Sequence, residues 1–444
     1  MDLTRETLTV AFCGPVGSGK STLLGNFRFL TGGFDQRSLD RKFGGGEVNY
    51  AWVMDNTAEE EAAGRTLRWS SCFVETEKYL LNCVQVPESV DLLRETISGL
   101  SQADVACLVV DPHPDRFEAA IAPGGEIMRT SIILATLGIN QLIVAVNKMD
   151  TVSYSETRFN DVVAQLKPVL QECGHNLNLV RFFPTVATKG ENVIGSSTNM
   201  PWCKGTLAWT LLSAIDTIDS AQLPVKNASA PFRGLVVRED NQYADGTDWL
   251  VVHVEAGVLR RDQEVVFYPT HTVANPCAAK IRQIDFRHEA VSDAGPGATV
   301  VLEHSGLSKT HWPRRGDVMV IKGDTSLGPV TRFTARISVV YQDGPLAVGA
   351  VTTLYLNSAQ VQVRIAKIER EFNRKTGATI AENPASIGQA TGAVVVFEPL
   401  EPLTLAVFQK TCQGLGRLVL TDSKLSAAGV MNLSIGAVSN VVYG

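Results

Sequence analysis

Two short runs of residues carry most of the chemistry in this chain. Gly14-Pro15-Val16-Gly17-Ser18-Gly19-Lys20-Ser21, followed by Thr22, matches G-x-x-x-x-G-K-[ST]. It lies between an apolar strand-like run and a helix-like one, the context that pattern requires. In such a loop glycines let backbone N–H groups wrap phosphates, Lys20 offers a point charge to the β and γ groups, and Ser21 Oγ can ligate Mg²⁺. The second run, Asn147-Lys148-Met149-Asp150, closes another apolar run further along. A carboxylate there can accept from the N1–H and N2–H₂ donors of guanine, an edge that adenine lacks, while a lysine stem packs on the base plane. Together the runs predict a site for GTP or GDP with Mg²⁺. Its expected nucleotide contacts are Gly14, Gly17, Ser18, Gly19, Lys20, Ser21, Thr22, Asn147, Lys148 and Asp150.

The two loops need a scaffold that brings them together. Strand-like runs at Leu8–Cys13, Tyr79–Val86, Val105–Val110, Leu142–Val146 and Val180–Phe183 alternate with helix-like stretches. The latter lie near Ser21–Leu30, Asp91–Leu100, Glu126–Leu137, Ser155–Glu172 and Thr206–Ile218. Such alternation predicts a mostly parallel sheet covered on both faces. Ser220–Pro231 has the small, polar, proline-rich character of a linker. Beyond it, Val-, Thr- and Gly-rich runs with turn signals at Asp245-Gly246, Pro296-Gly297 and Asp343-Gly344 read as all-β, with a second break near Gly323–Pro329. The predicted architecture is an α/β P-loop domain over residues 1–224, then two β-barrel domains over 225–328 and 329–444.

The chain's 444 residues, at roughly 150 per domain, agree with about three domains. There are 40 basic and 46 acidic side chains, a net charge of −6, which argues against a polyanion as the dominant partner. The excess is local: residues 1–230 hold 19 basic and 26 acidic side chains, and residues 231–444 hold 21 and 20. Eight cysteines, never as C-x-x-C, suit buried free thiols in a reducing compartment. The first residues lack the basic and apolar regions of a signal peptide, and no apolar run approaches the roughly 18 residues of a membrane span. A cytoplasmic protein with no membrane partner is expected. His253 and His288 read as barrel surface, and Trp52, Trp69, Trp202, Trp209, Trp249 and Trp312 as core packing.

Several stretches resemble eukaryotic elongation factor 1-alpha, the family of GTPases that deliver aminoacyl-tRNA. In the first half these are Asn49-Tyr50-Ala51-Trp52-Val53-Met54-Asp55, Ser101-Gln102-Ala103-Asp104, Phe117-Glu118-Ala119, Leu137-Gly138-Ile139-Asn140-Gln141-Leu142-Ile143-Val144 and Asn199-Met200-Pro201-Trp202-Cys203-Lys204-Gly205. In the β half they are Val254-Glu255-Ala256-Gly257-Val258-Leu259, His288-Glu289-Ala290 and Arg314-Arg315-Gly316. The match is collinear over essentially the whole chain. It implies a G domain followed by two β-barrels, with Thr66 as a second Mg²⁺ ligand beside Ser21. It also implies a third guanine contact from the Ala187 N–H, within Val186-Ala187-Thr188.

The departures from the family pattern bear mainly on the γ-phosphate and Mg²⁺ side of the site. Where members carry Asp-x-Pro-Gly-His at the end of the third strand, this chain has Gln85-Val86-Pro87-Glu88-Ser89. The family's aspartate helps hold Mg²⁺ through water, so the neutral Gln85 implies weak Mg²⁺ binding. Glu88 replaces a glycine that gives its N–H to the γ-phosphate; two unit charges 4 Å apart repel by about 4 kcal/mol at an effective dielectric of about 20. Unless Glu88 points away, GDP should bind better than GTP. Ser89 stands at the position of the histidine that positions the attacking water, which leaves no catalytic residue. The loop reads Gly-Pro-Val-Gly instead of Gly-His-Val-Asp, and Glu61 and Ala63 stand where arginines are usual.

These features predict a guanine-nucleotide-binding protein with impaired hydrolysis, a pseudo-GTPase acting as a scaffold. Since the family also binds actin and microtubules, the resemblance implies a cytoskeletal protein partner. The alternative is a working elongation factor that delivers aminoacyl-tRNA to the ribosome with GTP hydrolysis. The net charge counts against tRNA, although residues 332–375 hold a basic group of Arg332, Arg336, Arg364, Lys367, Arg370, Arg374 and Lys375 against Asp343, Glu369 and Glu371. The plainer interpretation of that group is a solvated barrel face.

Overall fold

The near-continuous apolar runs of the first half form a six-stranded sheet. A computed structural model describes residues 6–44, 46–55, 57–203, 209–238, 249–287, 289–308, 310–409, 412–421 and 432–444. Asp245-Gly246, Lys204, Gly205 and His288 lie outside these. The chain divides into two compact units, Met1–Pro224 and Val225–Gly444.

In the first unit the strands are β1 (Glu6–Cys13), β2 (Ser70–Glu75), β3 (Tyr79–Gln85), β4 (Val105–Val110), β5 (Leu142–Val146) and β6 (Val180–Pro184). The helices are α1 (Lys20–Leu30), α2 (Gln36–Phe43), α3 (Ala58–Ala63), α4 (Leu93–Leu100), α5 (Pro114–Ile121), α6 (Glu126–Leu137), α7 (Glu156–Glu172) and α8 (Leu211–Asp216). The sheet order is β2-β3-β1-β4-β5-β6, with β3-β1-β4-β5-β6 parallel and β2 antiparallel at the edge. Every residue of β3, β4 and β5 is buried, as parallel strands covered on both faces must be. β1 has β3 on one side and β4 on the other, so the loop after β1 lies where strand order reverses. In open parallel sheets that crevice is where ligands bind.

β2, α2, α3 and α5 extend the sequence expectation. β2 (Ser-Ser-Cys-Phe-Val-Glu) alternates partly exposed and buried residues, so it lacks the apolar run that marks its neighbours. The three helices are short and carried by their ends: the Asp35 side chain accepts from Arg37 N and Ser38 N ahead of α2, Thr57 caps α3, and Pro114 opens α5. The helix expected over Thr206–Ile218 begins at Leu211, because Thr210 and Ser213 form a capping box there. Residues 206–208 lie outside the described set.

The second unit contains two closed antiparallel sheets. In the first, Glu264–Tyr268 pairs with both Val318–Ile321 and Ala278–Phe286, which closes a ring with Arg233–Arg238, Leu250–Ala256 and Thr299–Ser305. In the second, Val351–Leu356 pairs with both Arg417–Thr421 and Ala359–Asn373, closing a ring with Leu433–Tyr443, Val330–Tyr341 and Thr391–Pro399. Inward residues such as Val252, Val265 and Phe267 fill one interior, and Phe333, Ile337 and Phe397 the other. The alternating burial along Ala359–Ile365 follows from the two-residue side-chain period.

Two expectations are corrected here. His253 is not a surface residue: it is 6% exposed, with Nδ1 2.9 Å from Thr299 Oγ1. Of the tryptophans, Trp69 is buried and Trp312 packs against the core of the first barrel, while Trp52, Trp202, Trp209 and Trp249 are half-buried. Trp52 meets Phe34 and Phe43 edge-on while its Nε1–H donates to Glu61, so the indole packs its rings and turns its polar tip to a carboxylate.

Burial, reinforced by Lys226, pushes the His253 imidazole down to about 3. An unfolded histidine titrates near 6.5, so between these values only the unfolded chain takes the proton. Stability should therefore fall as pH drops below about 6.5, by up to about 1.4 kcal/mol per pH unit from this residue. Urea unfolding from about pH 7 to about pH 5 should show that slope, reduced in His253→Gln; equal slopes would refute the assignment.

Candidate nucleotide-binding site

β1 ends at Cys13, and the chain turns through Gly14–Gly19 into α1. A Cβ on Gly14, at φ 133°, would lie 2.1 Å from the Val109 carbonyl oxygen. One on Gly19, at φ 95°, would lie 2.3 Å from Asn147 Nδ2. Only glycine lets the loop pack this tightly against β4 and the loop after β5. Gly19 caps α1 without a side-chain hydrogen bond, so the first-turn N–H groups, including those of Ser21 and Thr22, stay available to an anion. Lys20 is 7% exposed, and its Nζ donates to Gly14 O at 2.7 Å and Pro15 O at 3.2 Å. Burial lowers its affinity for the proton, and the nearby Glu88 carboxylate opposes that shift.

Asn147 fastens three loops. Its Nδ2 donates to Ser18 O at 2.8 Å, and its Oδ1 accepts from Ala187 N at 2.9 Å. The expected Ala187 N–H donor is thus already engaged, and Asn26 Nδ2 holds the Ala187 carbonyl at 2.7 Å. Lys148, in the left-handed region at φ 59°, donates to Gly17 O at 2.5 Å and to Asp111 Oδ2 at 2.8 Å. Asp150 sits on the following turn, its side chain 32% exposed and 4.0 Å from Lys189 Nζ, so its carboxylate is accessible to a base. Asn26 and Asp111 had no motif to mark them.

The segment after β3 is held by side chains of α4 and α6. Pro87 O accepts from Thr96 Oγ1 of α4 at 2.5 Å, and Glu88 O accepts from an Arg129 guanidinium N–H of α6 at 3.3 Å. The Glu88 side chain, 5% exposed, accepts from Gly14 N at 2.8 Å and Thr130 Oγ1 at 2.9 Å. Burial raises its pKa, while Lys20 and these donors pull it back. A second carboxylate, Glu126, accepts from Val16 N at 3.2 Å. Ser89 Oγ lies 3.5 Å from Asp91 Oδ2.

Ser21 Oγ and Thr66 Oγ1, the expected metal ligands, are 3.3 Å apart. Gln85 Nε2 is within hydrogen-bond distance of both, 3.0 Å from Ser21 Oγ and 2.6 Å from Thr66 Oγ1, and reaches Asp55 Oδ1 at 2.6 Å. Asp55 also accepts from Thr66 Oγ1 at 3.0 Å. Burial raises its pKa, against the hydrogen bonds of Ser21, Thr66 and Gln85. Asp55 lies in a stretch that carries the family resemblance, yet nothing in its spacing singled it out. The glycine cradle fits a nucleotide's phosphates; the Ser21–Thr66 pair does not fit Mg²⁺, because an amide nitrogen stands where the two hydroxyls converge.

Loop, sheet order and helix together define a P-loop nucleotide-binding fold. Residues 5–220 match the Elongation factor Tu GTP binding domain family, and residues 332–432 the GTP-eEF1A C-terminal domain-like family. Elongation factor 1-alpha of Desulfurococcus mucosus is 34% identical over 429 residues, covering 94% of both chains. That of Ignicoccus hospitalis is 34% identical, covering 94% of this chain and 93% of its own. Among solved structures, the S. cerevisiae Ski7 GTPase-like domain bound to GTP superposes with a TM-score of 0.76 at 19% identity, covering 98% of this chain and 97% of that one. The chain belongs to the elongation factor 1-alpha family of translational GTPases. Members of this family bind GTP and GDP with Mg²⁺. Among the described residues no helix is long and apolar enough to cross a membrane.

With Glu88 buried beside Lys20, a negative charge on it predicts that the parent protein binds GDP more tightly than GTP. Glu88→Gln removes the charge while keeping a partner for Gly14 N and Thr130, and should narrow that preference by about tenfold in competition against fluorescent GDP. Equal affinities in the parent would count against the repulsion.

Proposed function

We propose that this chain binds guanine nucleotide but does not couple it to a hydrolytic switch, and acts through protein contacts as a scaffold. The observation that carries this reading is the anchoring of Pro87–Ser89. In a GTPase cycle this segment must move with the γ-phosphate, whereas here side chains of α4 and α6 hold both Pro87 and Glu88. Ser89 cannot serve as a base or orient water as an imidazole would. On this reading Gly14, Gly17, Ser18, Gly19, Lys20, Ser21 and Thr22 cradle the phosphates, and Asn147, Lys148, Asp150 and Ala187 frame the base. A cytoskeletal partner follows from analogy with the family alone.

One observation favours the second reading, a working factor that carries aminoacyl-tRNA. Arg336, Arg364 and Lys367 are exposed on the strands Val330–Tyr341 and Ala359–Asn373, which flank Thr391–Pro399, and Arg336 and Arg370 stack on Phe372 at 4.3 and 5.8 Å. Arg332, by contrast, is paired with Glu398.

GTP turnover with and without ribosomes separates the two. The scaffold reading expects no stimulation, and none from Ser89→His alone, since Thr96, Arg129 and Thr130 still hold the segment. Robust ribosome-stimulated turnover by the parent would overturn it. The base assignment has its own test: Asp150→Asn should lower GDP affinity by about 10²-fold, because two hydrogen bonds to a charged acceptor are lost. An unchanged affinity would move the base elsewhere.

A further inference from the structure

The position of Gln85 points to a nucleotide site that works without a divalent cation, a step that rests on the guanine-nucleotide reading of the same loop. Gln85 ends β3 and is 0% exposed. Its Nε2 is the point on which three oxygens converge: Ser21 Oγ at 3.0 Å, Thr66 Oγ1 at 2.6 Å and Asp55 Oδ1 at 2.6 Å. These are hydrogen-bond lengths to one nitrogen. Mg²⁺ would need oxygens at about 2.1 Å in octahedral array, with nothing between them.

Two details fix the orientation of the amide. An ionised Asp55 can only accept, so the group facing it must be the NH₂. On the other side, Gln85 Oε1 is buried with no hydrogen-bond partner among the described residues. A flipped amide would set Oε1 against the Asp55 carboxylate, so the side chain leaves its acceptor unused in order to present its donors. The charge count is also coherent. An aspartate at this position, as in the family pattern, adds one negative charge that a divalent cation answers; glutamine contributes no charge for such an ion to answer.

We propose that the Gln85 carboxamide takes the place of the divalent cation, bridging Ser21 and Thr66 through N–H donors, so that GDP and GTP bind this chain independently of Mg²⁺.

The test uses the full chain, stripped of nucleotide and titrated with fluorescent GDP in excess Mg²⁺ and in EDTA. The parent's Kd should agree within about threefold between the two buffers, and Gln85→Asp should make EDTA cost at least about tenfold. Elemental analysis of the parent's GDP complex after gel filtration should find no stoichiometric Mg²⁺, a readout that stands even if Gln85→Asp does not fold. Tight binding in Mg²⁺ with about tenfold or greater loss in EDTA for the parent would overturn the proposal and leave the nucleotide reading intact. Absence of binding in both buffers would overturn the two together.

Discussion

A lysine buried at the end of a parallel sheet has to be answered by negative charge, and in this molecule that requirement organises the site. Lys20 is fixed by the carbonyls of Gly14 and Pro15, so its ammonium cannot swing to solvent. In a nucleotide-bound P-loop the phosphates supply the counter-charge. Here the protein already supplies part of it: Glu88 lies beside Lys20, with Glu126 and Asp55 further off. Nearby, the Gln85 amide joins the Ser21 and Thr66 hydroxyls and, on the reading proposed above, takes the place of a cation.

Self-satisfaction of this kind changes what a nucleotide can do. A switch needs a segment whose hydrogen bonds are incomplete until the γ-phosphate arrives, so that ligand binding biases one of two arrangements. Pro87 and Glu88 have their bonds made by Thr96, Arg129, Thr130 and Gly14. The base side is less altered. Asn147 ties the loops after β1, β5 and β6, and Asp150 is partly exposed, so on the proposed reading recognition of guanine is separable from response to the γ-phosphate.

Much of the first unit was legible in the chain because parallel strands buried on both faces must be apolar throughout, and loops that wrap phosphates must be glycine-rich. β3, β4 and β5 stand out for the first reason, and Gly14–Ser21 for the second. β2 and the helices α2, α3 and α5 did not, since a half-exposed strand and helices set by their caps leave only short signals. Trp69 and Trp312 pack in or against cores, whereas Trp52 is half-buried with its indole tip turned to Glu61, a difference that residue type alone does not mark.

By itself the sequence determined the parallel strands β1, β3, β4, β5 and β6, the glycine-rich loop Gly14–Ser21, the Asn147-Lys148-Met149-Asp150 run and the replacement of Asp-x-Pro-Gly-His by Gln85-Val86-Pro87-Glu88-Ser89. Only the tertiary structure decided what the replacements touch. Glu88 meets Gly14 and Thr130, and the Gln85 amide meets Ser21, Asp55 and Thr66, partners 19 to 74 positions away in the chain. Side-chain hydrogen bonds are short and directional, and which atoms fall within about 3 Å of one another is settled by packing, not by spacing along the chain.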